Sequence, residues 1–282
     1  MGVRRGRGFE AVTIRQVGHC WDARPCNIRH SLKPVGSEEY FNEVKSRKYR
    51  VEPHIPAFVE FARWRGKRVR EIACGVGTDT MKFAKHGAEV TSIDLPEASL
   101  EVTRKRARVY GLEDRIRVCR ANAEELKGFV PVEPYDFVYA FGALHDMPQP
   151  DRALDKIRRY LPPGGALKII VCRWSWKVLS ILLTYGRRRF WRLDELIAAH
   201  SEAQTGCPVT YTYTRRQVRR WLARHGFRVE ALRVMHDFPY RIRDYVQCRY
   251  TKASYFRWLP RRVFEAPERV LGWHLYVTAI AS

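Results

Sequence analysis

The chain has 282 residues, of which 45% are hydrophobic and 12% aromatic, and it carries a formal net charge of +22. This composition suits one α/β domain with extra elements, or two small domains, and it excludes a globally disordered chain. We expect no membrane span, because no run of about 18 uncharged apolar residues occurs. We also expect a cytoplasmic location, because no apolar segment follows the basic residues 1–7 as it would in a secretory signal.

The first 66 residues do not follow an α/β pattern. Ser37–Arg47 predicts a helix, and His54-Ile55-Pro56 leads into another. Before these helices, residues 21–31 mix basic and polar side chains with turn-forming residues. We therefore predict that residues 1–66 form an N-terminal lid that takes part in substrate recognition.

Residues 67–172 alternate between short apolar runs and helical patterns. This alternation implies a parallel sheet with helices on both faces. In such a sheet a ligand lies at the carboxyl ends of the strands, where the strand order reverses. The predicted strands are Val69–Ala73, Glu89–Asp94, Ile116–Arg120, Tyr135–Ala140 and Ala166–Cys172, and the predicted helices are Asp79–His86, Glu97–Tyr110 and Pro150–Tyr160.

Residues 173–282 combine a helical insertion with two late strands. Helical patterns fill most of residues 174–240, with a loop at 205–214 that could cover a pocket. Strand-like runs follow at Phe227–Val234 and Trp273–Ile280, and together they suit an antiparallel hairpin that closes the sheet. The fold class predicted is α/β, with a doubly wound sheet of seven strands that are mostly parallel.

A glycine-rich turn joins the first core strand to its helix. Gly75 and Gly77 let the backbone pass close to a ligand, and the helix behind them offers free N–H donors. Asp94 ends the next strand, where a carboxylate can accept hydrogen bonds from two ribose hydroxyls. The pattern predicts a nucleotide-like cofactor. It does not exclude a nicotinamide dinucleotide, which binds with the same geometry. The non-functional alternative is a simple tight turn.

The sequence motifs around and beyond this turn favour one cofactor. Five blocks resemble, in order and spacing, those of class I S-adenosylmethionine (SAM) dependent methyltransferases, and the ubiquinone/menaquinone C-methyltransferase-like group is the most similar. The resemblance implies a Rossmann-like fold, SAM as cofactor and S-adenosylhomocysteine as product. The blocks are EIACGVG at 71–77, IDL at 93–95, ANAEEL at 121–126, YDFVYAFGALH at 135–145 and LPPGG at 161–165.

The same resemblance assigns the cofactor contacts. Glu71 is implied to face the methionine amino group, and Asp94 to hold the ribose. Ala73 stands where a first glycine is usual, and Asn122 stands where an aspartate is common. The implied set is Glu71, Ala73, Gly75 and Gly77 around the methionine and the turn, Asp94 at the ribose, Leu95, Asn122 and Ala123 at the adenine, and Phe141 beside the sulfonium.

His145, after the fourth strand, is the first candidate for a general base or a substrate contact. Transfer from a sulfonium mainly requires alignment, and a base is needed only when the acceptor must lose a proton. Asp146 can orient the imidazole, although His145 could equally cap the strand–helix junction. The signature Asn/Asp-Pro-Pro-Tyr of amino-methylating enzymes is absent here, which argues against base methylation of nucleic acids.

Basic, polar and aromatic residues in the flanks are candidates for substrate recognition. Arginine, asparagine and histidine side chains between turn residues suit an anion or a carboxylate. The alternative is that the aromatic residues among them simply pack in the core. The candidates are Arg24, Asn27, Arg29, His30, Tyr40 and His54 in the N-terminal segment, and Tyr211, Tyr240 and Arg241 in the C-terminal part.

Four functional hypotheses remain open. The favoured one is methylation of an O, N or C centre of a small-molecule metabolite, with anionic metabolites as one candidate class. The charge allows methylation of RNA or another macromolecule, although the arginines are spread along the chain. Seven scattered cysteines without metal-ligand spacing predict reduced thiols and no metal site, and leave a thiol-using methyltransferase open. The fourth hypothesis is a non-catalytic SAM-binding protein.

Overall fold

One sheet of seven strands runs through the part of the chain that the computed structural model describes. Those residues are 9, 11–125, 134–185, 193–200, 206–235 and 272–282, with isolated positions at 241, 244, 249, 251, 252, 254 and 269. The strands are β1 Arg68–Ile72, β2 Glu89–Asp94, β3 Ile116–Arg120, β4 Phe137–Phe141, β5 Ala166–Cys172, β6 Phe227–Met235 and β7 His274–Ala281. Their order across the sheet is β3-β2-β1-β4-β5-β7-β6.

The strand order confirms the predicted doubly wound fold. The first five strands are parallel, and the order reverses between β1 and β4, so the carboxyl ends of β1, β2 and β4 meet at the switch point. β7 pairs antiparallel with both β5 and β6, as predicted. Residues 236–273 separate β6 from β7, so a long connection joins this antiparallel pair instead of a tight hairpin turn.

The described helices flank the sheet and include one that the sequence did not predict. α1 forms where no helix was predicted, and Thr13 and Gln16 close a capping box at its N-terminus. α2 begins after the Ser37 cap as predicted but continues four residues beyond Arg47. The helices are α1 Ile14–Ala23, α2 Glu38–Val51, α3 His54–Val59, α4 Thr78–Lys85, α5 Glu97–Val109, α6 Pro150–Tyr160, α7 Trp176–Tyr185, α8 Leu193–His200 and α9 Arg215–Arg224.

Both faces of the sheet are covered by apolar packing. Consecutive residues of β4 alternate between two core clusters, with Phe137 and Tyr139 in one and Val138 and Ala140 in the other. This is the pattern of a strand buried on both sides. Among the described helices, none is both long and apolar enough to cross a membrane.

Candidate active site

The glycine-rich turn after β1 is a left-handed stretch of backbone held against α5. Gly75 and Gly77 have φ angles of +55° and +70°, and α4 begins at the next residue. A Cβ on Gly77 would lie 2.7 Å from Cγ2 of Thr103, too close to be accommodated without movement. At Gly75 the nearest described atoms would be Cβ and the carbonyl oxygen of Cys26, both at 3.9 Å. The turn is therefore tight towards α5 and leaves a cradle towards the N-terminal segment.

Ala73, at the first position of the turn, adopts a conformation that usually belongs to glycine. Its φ is +56°. A Cβ in this region costs about 1–2 kcal/mol, whereas the greater freedom of glycine in the unfolded chain costs about 0.4–1 kcal/mol. We therefore expect Ala73→Gly to raise the free energy of unfolding by about 0.5–1 kcal/mol in urea denaturation. Ala223→Gly, at an exposed helical position, should lower it by a similar amount, and a loss in both variants would refute the strain at Ala73.

Asp94 lies at the carboxyl end of β2 and faces the turn. Its Oδ2 accepts a hydrogen bond from the backbone N–H of Gly75 at 2.8 Å, and its Oδ1 accepts one from Leu95 at 2.8 Å. Burial raises the pKa of Asp94 to about 6, although the two backbone hydrogen bonds act in the opposite direction. An ionised carboxylate offers about four acceptor positions, so room remains for two hydroxyl donors of a ligand.

Glu71 is buried in β1 behind the start of α4. Its Oε2 accepts a hydrogen bond from the hydroxyl of Thr80, and the hydroxyl of Ser92 lies 3.4 Å from the same oxygen. Burial, and then the negative charge of Asp79, raise the pKa of Glu71 to about 8. This carboxyl therefore holds a proton at neutral pH, and a cation beside it would favour its ionised form.

Asp79, in the first turn of α4, accepts hydrogen bonds from three side chains on two elements, α2 and β4, and we call this group the Asp79 cluster. Nζ of Lys48 lies 2.8 Å from Oδ2, the hydroxyl of Tyr49 lies 2.8 Å from Oδ1, and the hydroxyl of Tyr139 lies 3.0 Å from Oδ2. Burial is the largest influence and tends to lower the pKa of Lys48, but the charge and hydrogen bond of Asp79, together with the charges of Glu52 and Glu71, outweigh it, so the pKa is raised. Lys48 is therefore a buried cation that ties α2 to the turn.

The residues predicted at the adenine side lie after β3, and Phe141 lies across the switch point. Oδ1 of Asn122 accepts a hydrogen bond from the backbone N–H of Glu124 at 3.0 Å, so its carbonyl is engaged in a local turn. Ala123 is buried beside it. Phe141 ends β4 and is half-buried, with Nζ of Lys48 at 4.7 Å from its ring centroid.

The N-terminal segment covers the glycine-rich turn. A Cβ on Gly18 would lie 2.8 Å from Cδ2 of Leu95, so α1 packs directly on that side chain. Oδ1 of Asp22 accepts a hydrogen bond from the N–H of Ala98 at 3.2 Å, which docks the end of α1 on the first turn of α5. With Cys26 over Gly75, residues 18–26 form a cover along the line from Leu95 to the turn.

Comparison with known proteins agrees with this geometry. Residues 69–165 match the family model described as a methyltransferase domain. The demethylmenaquinone methyltransferase of Clavibacter sepedonicus is 33% identical over 110 residues, which are 39% of this chain and 42% of that protein. The ubiquinone/menaquinone biosynthesis C-methyltransferase UbiE of Pectobacterium atrosepticum is 31% identical over 142 residues, 48% of this chain and 55% of that one. The family match thus identifies residues 69–165 as a methyltransferase domain.

A solved structure extends the likeness of the methyltransferase fold to almost the whole chain. The geranyl diphosphate C-methyltransferase from Streptomyces coelicolor A3(2), solved with Mg²⁺, geranyl diphosphate and S-adenosyl-L-homocysteine, aligns with a TM-score of 0.60. The alignment covers 96% of this chain and 100% of that one at 15% identity, which concerns the fold alone. The chain spans about half the length of the curated relatives it matches.

His145, the first candidate for a general base, is buried in the structure. The side chain is 2% exposed, Nε2 lies 3.1 Å from Sγ of Cys172, and Nδ1 is buried without a hydrogen-bond partner among the described residues. Burial, reinforced by the charge of Lys177, lowers the pKa of His145 to about 3. Asp146 Oδ1 lies 3.7 Å from Nε2 and accepts a hydrogen bond from Thr210. A buried imidazole with so low a pKa is a weak general base.

The four polar residues predicted to recognise a substrate in residues 24–30 have different environments. Nη2 of Arg24 donates to the carbonyl oxygen of Gly206 at 3.2 Å, which ties the N-terminal segment to the loop after α8. Asn27 has a left-handed backbone, with φ of +65°, and Arg29 is exposed. Burial and two cations of α2 lower the pKa of His30 to about 3, so its imidazole is neutral at physiological pH.

The other candidates from the flanks are scattered. Tyr40 is fully buried and its hydroxyl donates to the backbone carbonyl of Ile28, so it packs within the N-terminal segment and is not open to a ligand. His54 is half-buried, with its ring 6.2 Å from that of Tyr276. Tyr211 is half-buried, and its N–H donates to the carbonyl of His145 at 2.8 Å. Arg241 is exposed, and Tyr240 lies outside the described residues, as does the arginine cluster at residues 187–189.

Sequence reasoning missed a second histidine at this edge of the sheet. His274 begins β7, in register with Cys172 at the carboxyl end of β5, and its ring centroid lies 6.3 Å from that of Phe141. Nδ1 lies 4.0 Å from Oε1 of Glu52 at the end of α2, and both side chains are partly exposed. Because His274 is partly exposed at this edge of the sheet and His145 is buried, His274 is the better-placed candidate for an acid–base group.

Proposed function

We propose that this chain transfers the methyl group of SAM to an O, N or C centre of a small-molecule metabolite, by in-line SN2 displacement that leaves S-adenosylhomocysteine (SAH). The observation that carries the proposal is the pairing of Asp94 with the left-handed turn at Gly75 and Gly77 beneath the N-terminal cover. The quinone-methylating relatives support a small-molecule acceptor.

The residues present fit SAM. The cradle at Gly75 would be filled by a Cβ, and the carboxylate of Asp94 has acceptor positions to spare for the ribose hydroxyls. When bound, SAM supplies an electrophilic methyl group on a sulfonium. Asp94 and Leu95 would hold the adenosine, Glu71 would meet the ammonium, and the segment over the turn would keep water away.

Calorimetric titration of SAM and SAH tests the cofactor assignment. We expect micromolar binding by the wild type and a loss of at least roughly thirtyfold in Asp94→Ala, because two charge-assisted hydrogen bonds are removed. Asp114→Ala, at an exposed acidic position outside the site, is the matched control and should bind as the wild type does. Failure of the wild type to bind either ligand would refute the proposal.

Labelled SAM then separates the acceptor classes. We expect the label to enter the small-molecule fraction of a bacterial extract when the wild type is present, and not with Asp94→Ala. Label that enters RNA instead would favour the macromolecular alternative that the charge of the chain allows.

The pKa of Asp94 predicts how adenosine binding depends on pH. Ribose hydroxyls donate to the ionised carboxylate, so binding favours the form that prevails above the pKa of about 6. We expect the affinity for 5′-methylthioadenosine, which lacks the amino-acid portion, to be constant from pH 7 to 8 and to fall up to roughly tenfold by pH 5. Titrations at each pH would measure this, and a flat profile down to pH 5 would contradict the role of Asp94.

A further inference from the structure

We propose that Lys48, on the N-terminal helix α2, binds the carboxylate of the amino-acid portion of SAM, and that Lys48 and Glu71 together form a site for an amino-acid zwitterion. This inference rests on the proposed function and names a residue outside the methyltransferase domain as a determinant of cofactor specificity. Lys48 lies at position 48, whereas the family match begins at residue 69.

The position of Lys48 provides the first argument. Its ammonium is bonded to Asp79 in the first turn of α4, directly after the glycine turn, and lies 4.7 Å from the ring centroid of Phe141 at the end of β4. It is also close enough to Glu71 for each charge to shift the pKa of the other group. Lys48 therefore lies at the switch point between β1 and β4, at the end of the site remote from Asp94.

The hydrogen-bonding capacity of Lys48 provides the second argument. A lysine ammonium has three donors, and among the described residues Asp79 is the acceptor within hydrogen-bonding distance of Nζ. Its side chain is 9% exposed, so bulk water satisfies the remaining donors poorly. A ligand carboxylate at this point would gain charge-assisted hydrogen bonds from a cation that is already desolvated and held in place.

The charge balance of the pocket provides the third argument. The groups that face Glu71 are Asp79 on α4, Lys48 and Tyr49 on α2, Tyr139 on β4, and the hydroxyls of Thr80 and Ser92. Asp79 neutralises Lys48, and Glu71 holds a proton at neutral pH, since its pKa is about 8. A zwitterion adds one positive and one negative charge. Its ammonium would displace the proton of Glu71 to solvent and pair with that carboxylate, while its carboxylate would meet Lys48.

The test pairs one substitution with one change in the ligand. Decarboxylated SAM keeps the sulfonium, the amine and the adenosine, and lacks only the carboxylate. We expect Lys48→Gln to weaken SAM roughly ten- to hundredfold in calorimetric titration and to leave decarboxylated SAM within about twofold. Lys48→Arg should keep most of the preference for SAM, and Lys45→Gln, at a half-buried position of the same helix outside the proposed site, should bind both ligands as the wild type does.

The outcomes separate this inference from the function on which it rests. If Lys48→Gln lowers the affinity for both ligands equally, Lys48 only supports the fold and the inference fails. If Lys48→Gln does not fold, the wild type and Lys48→Arg still decide, because equal affinity for SAM and decarboxylated SAM would overturn the inference. If the wild type binds SAM and decarboxylated SAM equally well, the inference about Lys48 fails and the proposed function is unaffected. If the wild type does not bind SAM at all, the proposed function itself is rejected.

Discussion

We expect Asp79→Asn to lower the free energy of unfolding by about 3 kcal/mol. Breaking a buried ion pair by removing one partner typically costs about 3–5 kcal/mol, because the remaining charge is left without compensation. Lys48 would be that charge, with a side chain only 9% exposed. The value lies at the low end of the range because Asp79 helps to hold the pKa of Glu71 high. Without it Glu71 would ionise more readily and partly replace the lost counterion.

Unfolding in guanidinium chloride, followed by circular dichroism, measures this effect. Lys48→Met combined with Asp79→Asn removes both charges, so the double variant should be less destabilised than the sum of the two single variants, by at least about 1 kcal/mol. Asp114→Asn removes an exposed acid of the same type and should change the stability by less than about 0.5 kcal/mol. Strictly additive effects of the two cluster substitutions would show that Lys48 and Asp79 do not depend on each other.

The sheet could be predicted from the sequence because each core strand has a clear pattern of its own. β2 Glu89–Asp94, β3 Ile116–Arg120 and β5 Ala166–Cys172 begin and end at the predicted residues, since glycine or polar segments border their apolar runs. α1 was not predicted, although its capping box at Thr13 precedes apolar residues at helical spacing, because Gly18 in its middle disfavours a helix. What stabilises α1 is tertiary contact, above all Gly18 against Leu95.

Part of the candidate site could likewise be predicted from the sequence, and part could not. Asp94 and the glycine turn follow from local order along the chain, and the structure brings them into contact. The Asp79 cluster joins α2, α4 and β4, and its members are distant in sequence, so no spacing rule connects them. Lys48 was harder still to identify, because the helix predicted from Ser37 ended at Arg47, whereas α2 reaches Val51. An acid in the first turn after the glycines was the one local signal that could have pointed to Asp79.

His145 shows what chain order leaves open. Its position after the fourth strand made it the first candidate base, but chain order does not show whether the side chain is exposed. The structure packs it against Cys172 and the segment that contains Tyr211. The burial of His145 depends on how the segment with Tyr211 and Tyr213 packs beside β5. No pattern in the core sequence predicts that contact. The pKa of His145, lowered to about 3, is a consequence of that packing.

We expect Gly77→Ala to lower the free energy of unfolding by about 3 kcal/mol and to abolish SAM binding. A left-handed alanine costs about 1–2 kcal/mol, and overpacking against a neighbouring element adds about 1–3 kcal/mol. At Gly77 both apply, since φ is +70° and the added Cβ would lie 2.7 Å from Cγ2 and 2.9 Å from Oγ1 of Thr103. Relief of this contact would move α5 away from the turn, and Thr103 Oγ1 would lose its hydrogen bond to the carbonyl of Gly75.

Two further variants separate the backbone cost of Gly77→Ala from the steric cost. Gly111 has a similar φ of +60° with no atom within 4 Å of an added Cβ, so Gly111→Ala should cost only about 1 kcal/mol. Thr103→Ala removes the two nearest atoms and leaves its Cβ at 3.1 Å, so Gly77→Ala should cost about 1–2 kcal/mol less in that background. If Gly77→Ala lowers the free energy of unfolding equally in the wild type and in Thr103→Ala, the turn is not in steric conflict with α5. The strict need for glycine at position 77 would then come from backbone conformation alone, and SAM binding should survive wherever the variant folds.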